Sequence, residues 1–320
     1  MEIAYSQVCP IYLKSVLTNE YNLPSIVNVT YLHQGLNDTY KVETVSEPYI
    51  LRIYRHNWKS YGDIMGELEL IHLLRLNEIM VSYPIADRAS NLIHSLICPE
   101  GTRYFVLFSF APGEGLPSLD VETAKLFGEQ LARIHRITEN KQIDKLSKSY
   151  NLPDILAFAK STLKARLGRF HSSLNQLSRI EQILEERLHL DLLKHLTQGV
   201  CHGDPHHENC FVDIRKRELT FFDFDFCGNG YLHYDIGSFF HYERHHPAAQ
   251  KSFLEGYTEV KPLSDVEVFL IPYFTILMRI FHLGARTKNA DGIKNPLWPV
   301  REIDKTISEI GHQLDELNTI

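Results

Sequence analysis

Cysteine is scarce and odd in number: the 320 residues contain five, Cys9, Cys98, Cys201, Cys210 and Cys227. A scattered set of this kind fits reduced thiols better than a disulfide framework. An excess of positive charge is missing too. The formal net charge is −7, where a dedicated nucleic-acid binder would show a basic stripe. No apolar run approaches the ~20 residues of a membrane span, and Met1–Tyr5 carries neither a basic region nor an apolar signal core. A cytoplasmic protein with no membrane or nucleic-acid partner is therefore expected. Repeats and low-complexity tracts are absent. What is present is 44% hydrophobic content, enough to bury a sizeable core and to build roughly two lobes.

Residues 7 to 21 place Ile11, Tyr12, Val16, Leu17 and Tyr21 at helical spacing. A β-rich stretch, Ile26 to Leu32, then breaks at Gln34-Gly35-Leu36-Asn37-Asp38 and resumes as Thr39–Val45 and Tyr49–Tyr54, a meander with a glycine turn at its first corner. Backbone amides at such a turn can cradle phosphate, or it can be a plain hairpin. Arg52 lies inside the third strand, where a charge usually faces solvent. Residues 61 to 76 read as an amphipathic helix with Ile64, Leu68, Ile71 and Leu73 or Leu74 as its stripe, and with Glu67 beside it. Strands at Ile93–Ile97 and Tyr104–Phe110 follow, and Ala111-Pro112-Gly113-Glu114-Gly115 marks a lobe boundary, giving 1–111 and 112–320. Beyond it the chain is mainly helical: Val121–Ile137, Pro153–Leu167, Leu174–Leu196, an apolar core helix at Val266–Leu283 and a closing amphipathic one at Asp304–Leu317. Asp235, ahead of Ile236-Gly237-Ser238-Phe239-Phe240, reads as a helix N-cap.

Two stretches between these helices carry the chemistry. In each of Val200–Val212 and Leu219–Phe226 a short run of apolar β-formers gives way to a carboxylate. Paired strands would bring Asp204, Asn209 and Asp223 to one edge of a small sheet. One carboxylate to accept a proton, with an amide and a second carboxylate offering oxygen to a hard cation, is what phosphoryl transfer requires. The same residue types are also ordinary in turns. Asp225 would share a face with Asp223 if the strand continued, as a further metal ligand, or it is a turn residue. Cys201, His202, His206, His207, Cys210 and Cys227 invite a zinc site, but no Cys-x-x-Cys spacing accompanies them. His241, His245 and His246 could line a substrate cleft or start an exposed helix.

With these residues in view, the chain from about 30 to 240 resembles the aminoglycoside phosphotransferase and choline kinase family. His202-Gly203-Asp204 with Asn209 five residues on matches that family's catalytic loop, Phe222-Asp223-Phe224-Asp225 its metal-binding segment, and Tyr234-Asp235-Ile236-Gly237 the motif behind it. The resemblance implies an α+β, two-lobed protein-kinase-like fold, with an antiparallel N-terminal β-lobe, a mainly helical C-terminal lobe and the nucleotide between them. It implies ATP and Mg2+ as cofactors, Asp204 as catalytic base, and Asn209 and Asp223 as metal ligands. For the nucleotide it implies Gly35 and Asn37 of a phosphate loop, in which Gln34 replaces the usual first glycine. It also implies Arg52 in place of the usual lysine, Glu67 as its helix partner, and Phe108 and Phe110 at the adenine hinge. The expected activity is transfer of a phosphoryl group to a hydroxyl of a small molecule, an antibiotic or a metabolite. A Ser/Thr protein kinase and a nucleotide-binding pseudokinase are the alternatives. Against them, Asp204, Asn209 and Asp223 are all present, and no long activation loop separates Asp225 from Asp235.

Overall fold

A computed structural model describes residues 3–168, 171–292 and 299–318. The chain divides into two compact units, Met1–Gly113 with Thr220–Phe222, and Glu114–Leu219 with Asp223–Ile320.

In the first unit, helix α1 (Pro10–Glu20) precedes strands β1 (Ile26–Gln34), β2 (Asp38–Thr44) and β3 (Pro48–Ile53). Helix α2 (Tyr61–Leu76) and strands β4 (His94–Cys98) and β5 (Gly101–Ser109) follow. The strands form one antiparallel sheet in the order β1-β2-β3-β5-β4. Alternation sorts its faces. Tyr40, Val42, Tyr49, Leu51 and Ile53 point into a core shared with Leu13, Leu17 and Tyr21 of α1 and its end. Arg52, between two inward residues, is thereby turned to the other face. The α2 start is well specified: Ser60 Oγ accepts from Asp63 N, and the Asp63 carboxylate accepts from Ser60 N, a capping box.

One buried cation ties this unit together. Arg103 of β5 is 1% exposed. It pairs with Asp38 at 2.7 Å and donates to the carbonyls of Ile53, Tyr54 and Ser6. Asp38 closes the turn Gln34–Asp38, so the pair sets where that turn lies.

The second unit is mainly helical. It contains α3 (Val121–Thr138), α4 (Leu152–Leu167), α5 (Ser172–Arg187) and α6 (Leu190–Leu193), then α7 (His233–Tyr242), α8 (Pro247–Val260), α9 (Asp265–Gly292) and α10 (Val300–Leu317). The stretch expected as one helix from Leu174 to Leu196 is thus two, parted around Leu188. Short strands β6 (Ser149–Tyr150), β7 (Gln198–Cys201) and β10 (Gly228–Tyr231) form a sheet in the order β6-β10-β7, and β8 (Cys210–Asp213) pairs with β9 (Glu218–Phe221). By length and composition α9 could cross a membrane, contrary to the expectation that no run approaches a span; 72% of its most apolar window is buried within the protein, as in a core helix.

Because Asp38 is itself 1% exposed, removing its cation strands a buried carboxylate. Arg103→Met is expected to cost about 3–5 kcal/mol, read as a lower urea midpoint with circular dichroism as the probe. A loss below about 1 kcal/mol would show the pair to be dispensable.

Candidate active site

The loop after β7 is shaped by one carboxylate. Asp235 Oδ2 accepts from His202 N at 2.7 Å and Oδ1 from Gly203 N at 2.8 Å. Its Oδ2 also lies 3.2 Å from His135 Nε2, whose Nδ1 meets the Tyr257 hydroxyl at 2.7 Å. All of this is buried. Asp235 is therefore not the expected N-cap. The helix begins at His233, two residues earlier, and Asp235 sits in its first turn with both oxygens committed to the backbone of the loop after β7. Gly203 adopts φ +90°, and a Cβ there would lie 2.1 Å from the Phe226 carbonyl oxygen, so no other residue fits the turn. His202 packs its ring on Phe224 at 4.3 Å.

Asp204 emerges from this turn towards proton-bearing side chains. The Tyr242 hydroxyl donates to its Oδ1 at 3.1 Å. His282 Nε2 lies 3.6 Å from Oδ1, and His206 Nε2 3.5 Å from Oδ2. His206 in turn stacks on Tyr242, centroids 4.0 Å apart. Burial opposes the charge on Asp204, but His282, His206 and His202 outweigh it and hold the carboxyl well below the usual range. Burial pushes the His282 imidazole down, against the pull of Asp204. His282 Nε2 is buried with no hydrogen-bond partner, and its 3.6 Å gap to the carboxylate is one that a hydroxyl could bridge.

Asn209 and Asp223 are set by their backbone. A four-residue connection allows β8 and β9 to pair only antiparallel, so Asn209, just before β8, and Asp223, just after β9, lie at the same end of the ribbon. The Asn209 amide nitrogen is 2.9 Å from the Asp204 carbonyl oxygen and 3.0 Å from His206 Nε2. That fixes the amide's orientation and leaves Oδ1 as the atom it could offer a cation. Asp223 is left-handed, φ 61° and ψ 59°, a conformation costing about 1–2 kcal/mol in an L-residue and concentrated at functional sites. It ends the strand, and Phe224–Phe226 form a 3-10 turn. Asp225 is therefore not the next same-face residue of a continuing strand; it is 2% exposed. Two oxygen donors suit a hard dication that takes its remaining ligands from phosphate and water. Among the described residues no three His, Cys, Asp or Glu side chains form a metal-holding group. His245 and His246 are exposed, and His241 is half-buried.

In the first unit Arg52 Nη1 pairs with Glu67 Oε1 at 3.0 Å. Glu67 has no exposed surface, and its other oxygen takes Lys59 Nζ at 2.5 Å and the Tyr54 hydroxyl at 3.2 Å. Arg52 is also 5.3 Å over the Phe108 ring. The solvated-strand reading of Arg52 is excluded: its side chain is 11% exposed. Lys59 was not foreseen; lying outside any strand or helix, it gave no periodic signal. Tyr242 and His282 were missed too, although a histidine inside the apolar run of α9 was a visible anomaly. Phe108 is buried and pairs with Ile50 across β3, and Phe110 follows the strand end. In the turn, Gly35 N donates to the Asn37 carbonyl at 3.0 Å, Arg55 Nη2 donates to the Gly35 carbonyl at 2.9 Å, and Asn37 Oδ1 accepts from Arg55 N at 3.3 Å. A Cβ at Gly35 would meet nothing closer than 3.9 Å, so the backbone there does not demand glycine.

Comparison with known proteins bears on the family and the fold. An uncharacterized protein of Synechocystis sp. is 30% identical over 272 residues, 82% of this chain and 74% of that protein. A homoserine kinase of Rhizobium rhizogenes is 26% identical over 282 residues, 84% and 82% of the two chains. Among solved structures, an amicoumacin kinase in complex with AMP-PNP, Ca2+ and Ami superposes with a TM-score of 0.76 at 20% identity, covering 97% of this chain and 94% of that one; at that identity the likeness concerns the fold. The model of a phosphotransferase enzyme family matches residues 30–264. The chain thus belongs to that phosphotransferase family, a kinase with the protein-kinase-like α+β fold.

Proposed function

We propose that this protein transfers the γ-phosphoryl group of ATP to a hydroxyl group of a small molecule. The observation that carries the reading is the setting of Asp204: an ionised carboxylate facing the buried, unpartnered Nε2 of His282 across 3.6 Å. An acceptor hydroxyl placed there donates to Asp204 and accepts from His282, which orients its oxygen for attack. Asp204 then takes the proton as the O–P bond forms. Tyr242, donating to Oδ1, holds the carboxylate's rotamer. Asn209 and Asp223 would hold Mg2+, which when bound offsets charge on the phosphates. Arg52, fixed by Glu67, would clamp phosphate oxygens with its fork. Gly35 and Asn37 would lie beside the phosphates and Phe108 and Phe110 beside the base. A peptide acceptor is less well supported, because the chain passes directly from the Phe224–Phe226 turn into β10 with no free segment.

A coupled ADP-release assay over hydroxylated amines, amino acids, sugars and antibiotics tests the proposal. With an acceptor in hand, Asp204→Asn is expected to lower kcat by about 10²–10⁴, with Mg-ATP affinity within a few fold by calorimetry. Wild-type turnover in that variant would move the base elsewhere.

Arg52→Ala leaves Glu67 paired with Lys59, so the fold is expected to persist. The KM for ATP should rise well beyond that for the acceptor. An unchanged ATP constant would remove Arg52 from the nucleotide site.

Metal dependence follows from the oxygen-only donor pair. Turnover should stop in chelator and return with Mg2+ or Mn2+ but not with Zn2+. Turnover persisting in chelator would defeat the assignment of Asn209 and Asp223.

A further inference from the structure

One face of α9 carries a row of basic side chains. α9 carries Arg279, His282 and Arg286 at relative positions i−3, i and i+4, one face of the helix, and His282 is the residue whose Nε2 addresses Asp204. Arg279 is engaged, by Glu309 at 3.1 Å and Gln313 at 2.7 Å. Arg244, just past the end of α7, donates to the His241 carbonyl at 3.0 Å. Neither Arg244 nor Arg286 has a carboxylate partner among the described residues. The carboxylates nearest in sequence to the loop and to α7 do not answer them. Glu243 is buried against His207 at 3.3 Å, and Glu208 is exposed, 3.8 Å from His206 Nδ1. Burial, and then Arg244 and Arg279 with His282 and Arg286, drive the half-buried His241 imidazole down to about 3. Arg286 also acts on Tyr242 and His282, both neighbours of Asp204. An exposed arginine by itself is ordinary. One helical turn from the group that faces the base, without an anionic partner, it is a fork waiting for a carboxylate.

We propose that Arg286 binds a carboxylate of the acceptor, which makes the acceptor a small hydroxy acid or hydroxy amino acid and not a polycation. The inference rests on the kinase reading above, with Asp204 as the base at the acceptor hydroxyl. The hydroxyl sits between Asp204 and His282, and the carboxylate reaches along α9 towards Arg286. Arg244 adds positive potential without a required contact.

The test uses matched pairs that differ only by the carboxylate: L-homoserine and 3-aminopropan-1-ol, L-threonine and 1-aminopropan-2-ol, L-serine and ethanolamine, each with Mg-ATP. The full-length wild type is expected to prefer the acid in at least one pair. Arg286→Gln should raise KM for that acid by about tenfold to a hundredfold, the range for losing a charge-assisted hydrogen bond, and leave KM for the matched amino alcohol within about twofold. Arg286→Lys should recover part of the loss, which a merely structural role would not show. If Arg286→Gln unfolds, the acid-over-alcohol ratio of Arg286→Lys against wild type decides the matter, and an unchanged ratio counts against the subsite. Turnover of the amino alcohols alone, or an equal KM change for both members of a pair, overturns the carboxylate subsite and leaves the kinase reading intact. ATP hydrolysis without turnover of any pair also overturns it. No ADP release with any hydroxyl compound, and none without one, overturns both readings.

Discussion

The loop that carries Asp204 depends on one buried carboxylate, that of Asp235. Asp235 is fully buried, and a charge in that position is tolerable only with its oxygens satisfied. They are satisfied by the amides of His202 and Gly203 and by His135. The geometry this enforces is otherwise unfavourable, since Gly203 stands at φ +90° with the Phe226 carbonyl where a side chain would go. Asp204 is the next residue. Its direction follows from a turn that the interior of the helical unit dictates, which places this carboxylate on a rigid support and not on a free loop.

The first unit uses the same device. Glu67 is as buried as Asp235, and two cations divide its oxygens, Arg52 on one and Lys59 on the other. An arginine where a lysine is usual changes the geometry: its planar fork can hold the glutamate with one nitrogen and present others to an anion. Lys59 makes that division tolerable, because Glu67 keeps a partner when Arg52 turns part of its charge to a ligand. In both units a buried carboxylate orders the residue assigned to the chemistry.

This explains which parts of the molecule were legible in sequence. Helix α2 fell where its stripe placed it, and the five strands of the first sheet followed from alternation and turn residues, because each is a local signal repeated several times. The residues alone allowed an Arg52–Glu67 pair but favoured solvent; the family resemblance turned the balance towards the pair. Asp235 was misread because an Asp before an apolar run has the form of an N-cap. The competing claim on it comes from amides 32 and 33 residues away, which no local pattern contains. Of the two readings of Asp225 the turn residue is the one found, because the left-handed residue at 223 breaks the strand register that the period-two argument extends. Tyr242 and His282 reach Asp204 from α7 and α9, and no motif spacing links those segments. Of the histidines that stand out in sequence, His245 and His246 are exposed, whereas His206 lies beside Asp204.

The electrostatics of Asp204 bear on what kind of base it can be. A general base works best with a pKa near the operating pH, yet its neighbours hold this carboxyl well below its ordinary value. Such a group is a poor competitor for the proton of an intact alcohol. Phosphoryl transfer lessens the difficulty, because in a loose transition state the hydroxyl oxygen has formed little bond to phosphorus and keeps its proton until late. The alcohol becomes strongly acidic only as that bond completes, and at that stage even a weak base 3 Å away suffices. As the proposed base, Asp204 would first orient the hydroxyl, by accepting a hydrogen bond in a direction fixed by Tyr242 and the Asp235-held turn. It would accept the proton only late in the reaction. A carboxylate tuned upward towards neutrality would be partly protonated before the acceptor arrived and would lose the first of these roles. The histidines and tyrosine around Asp204 keep it charged, and a charged, oriented acceptor is what a late proton transfer requires.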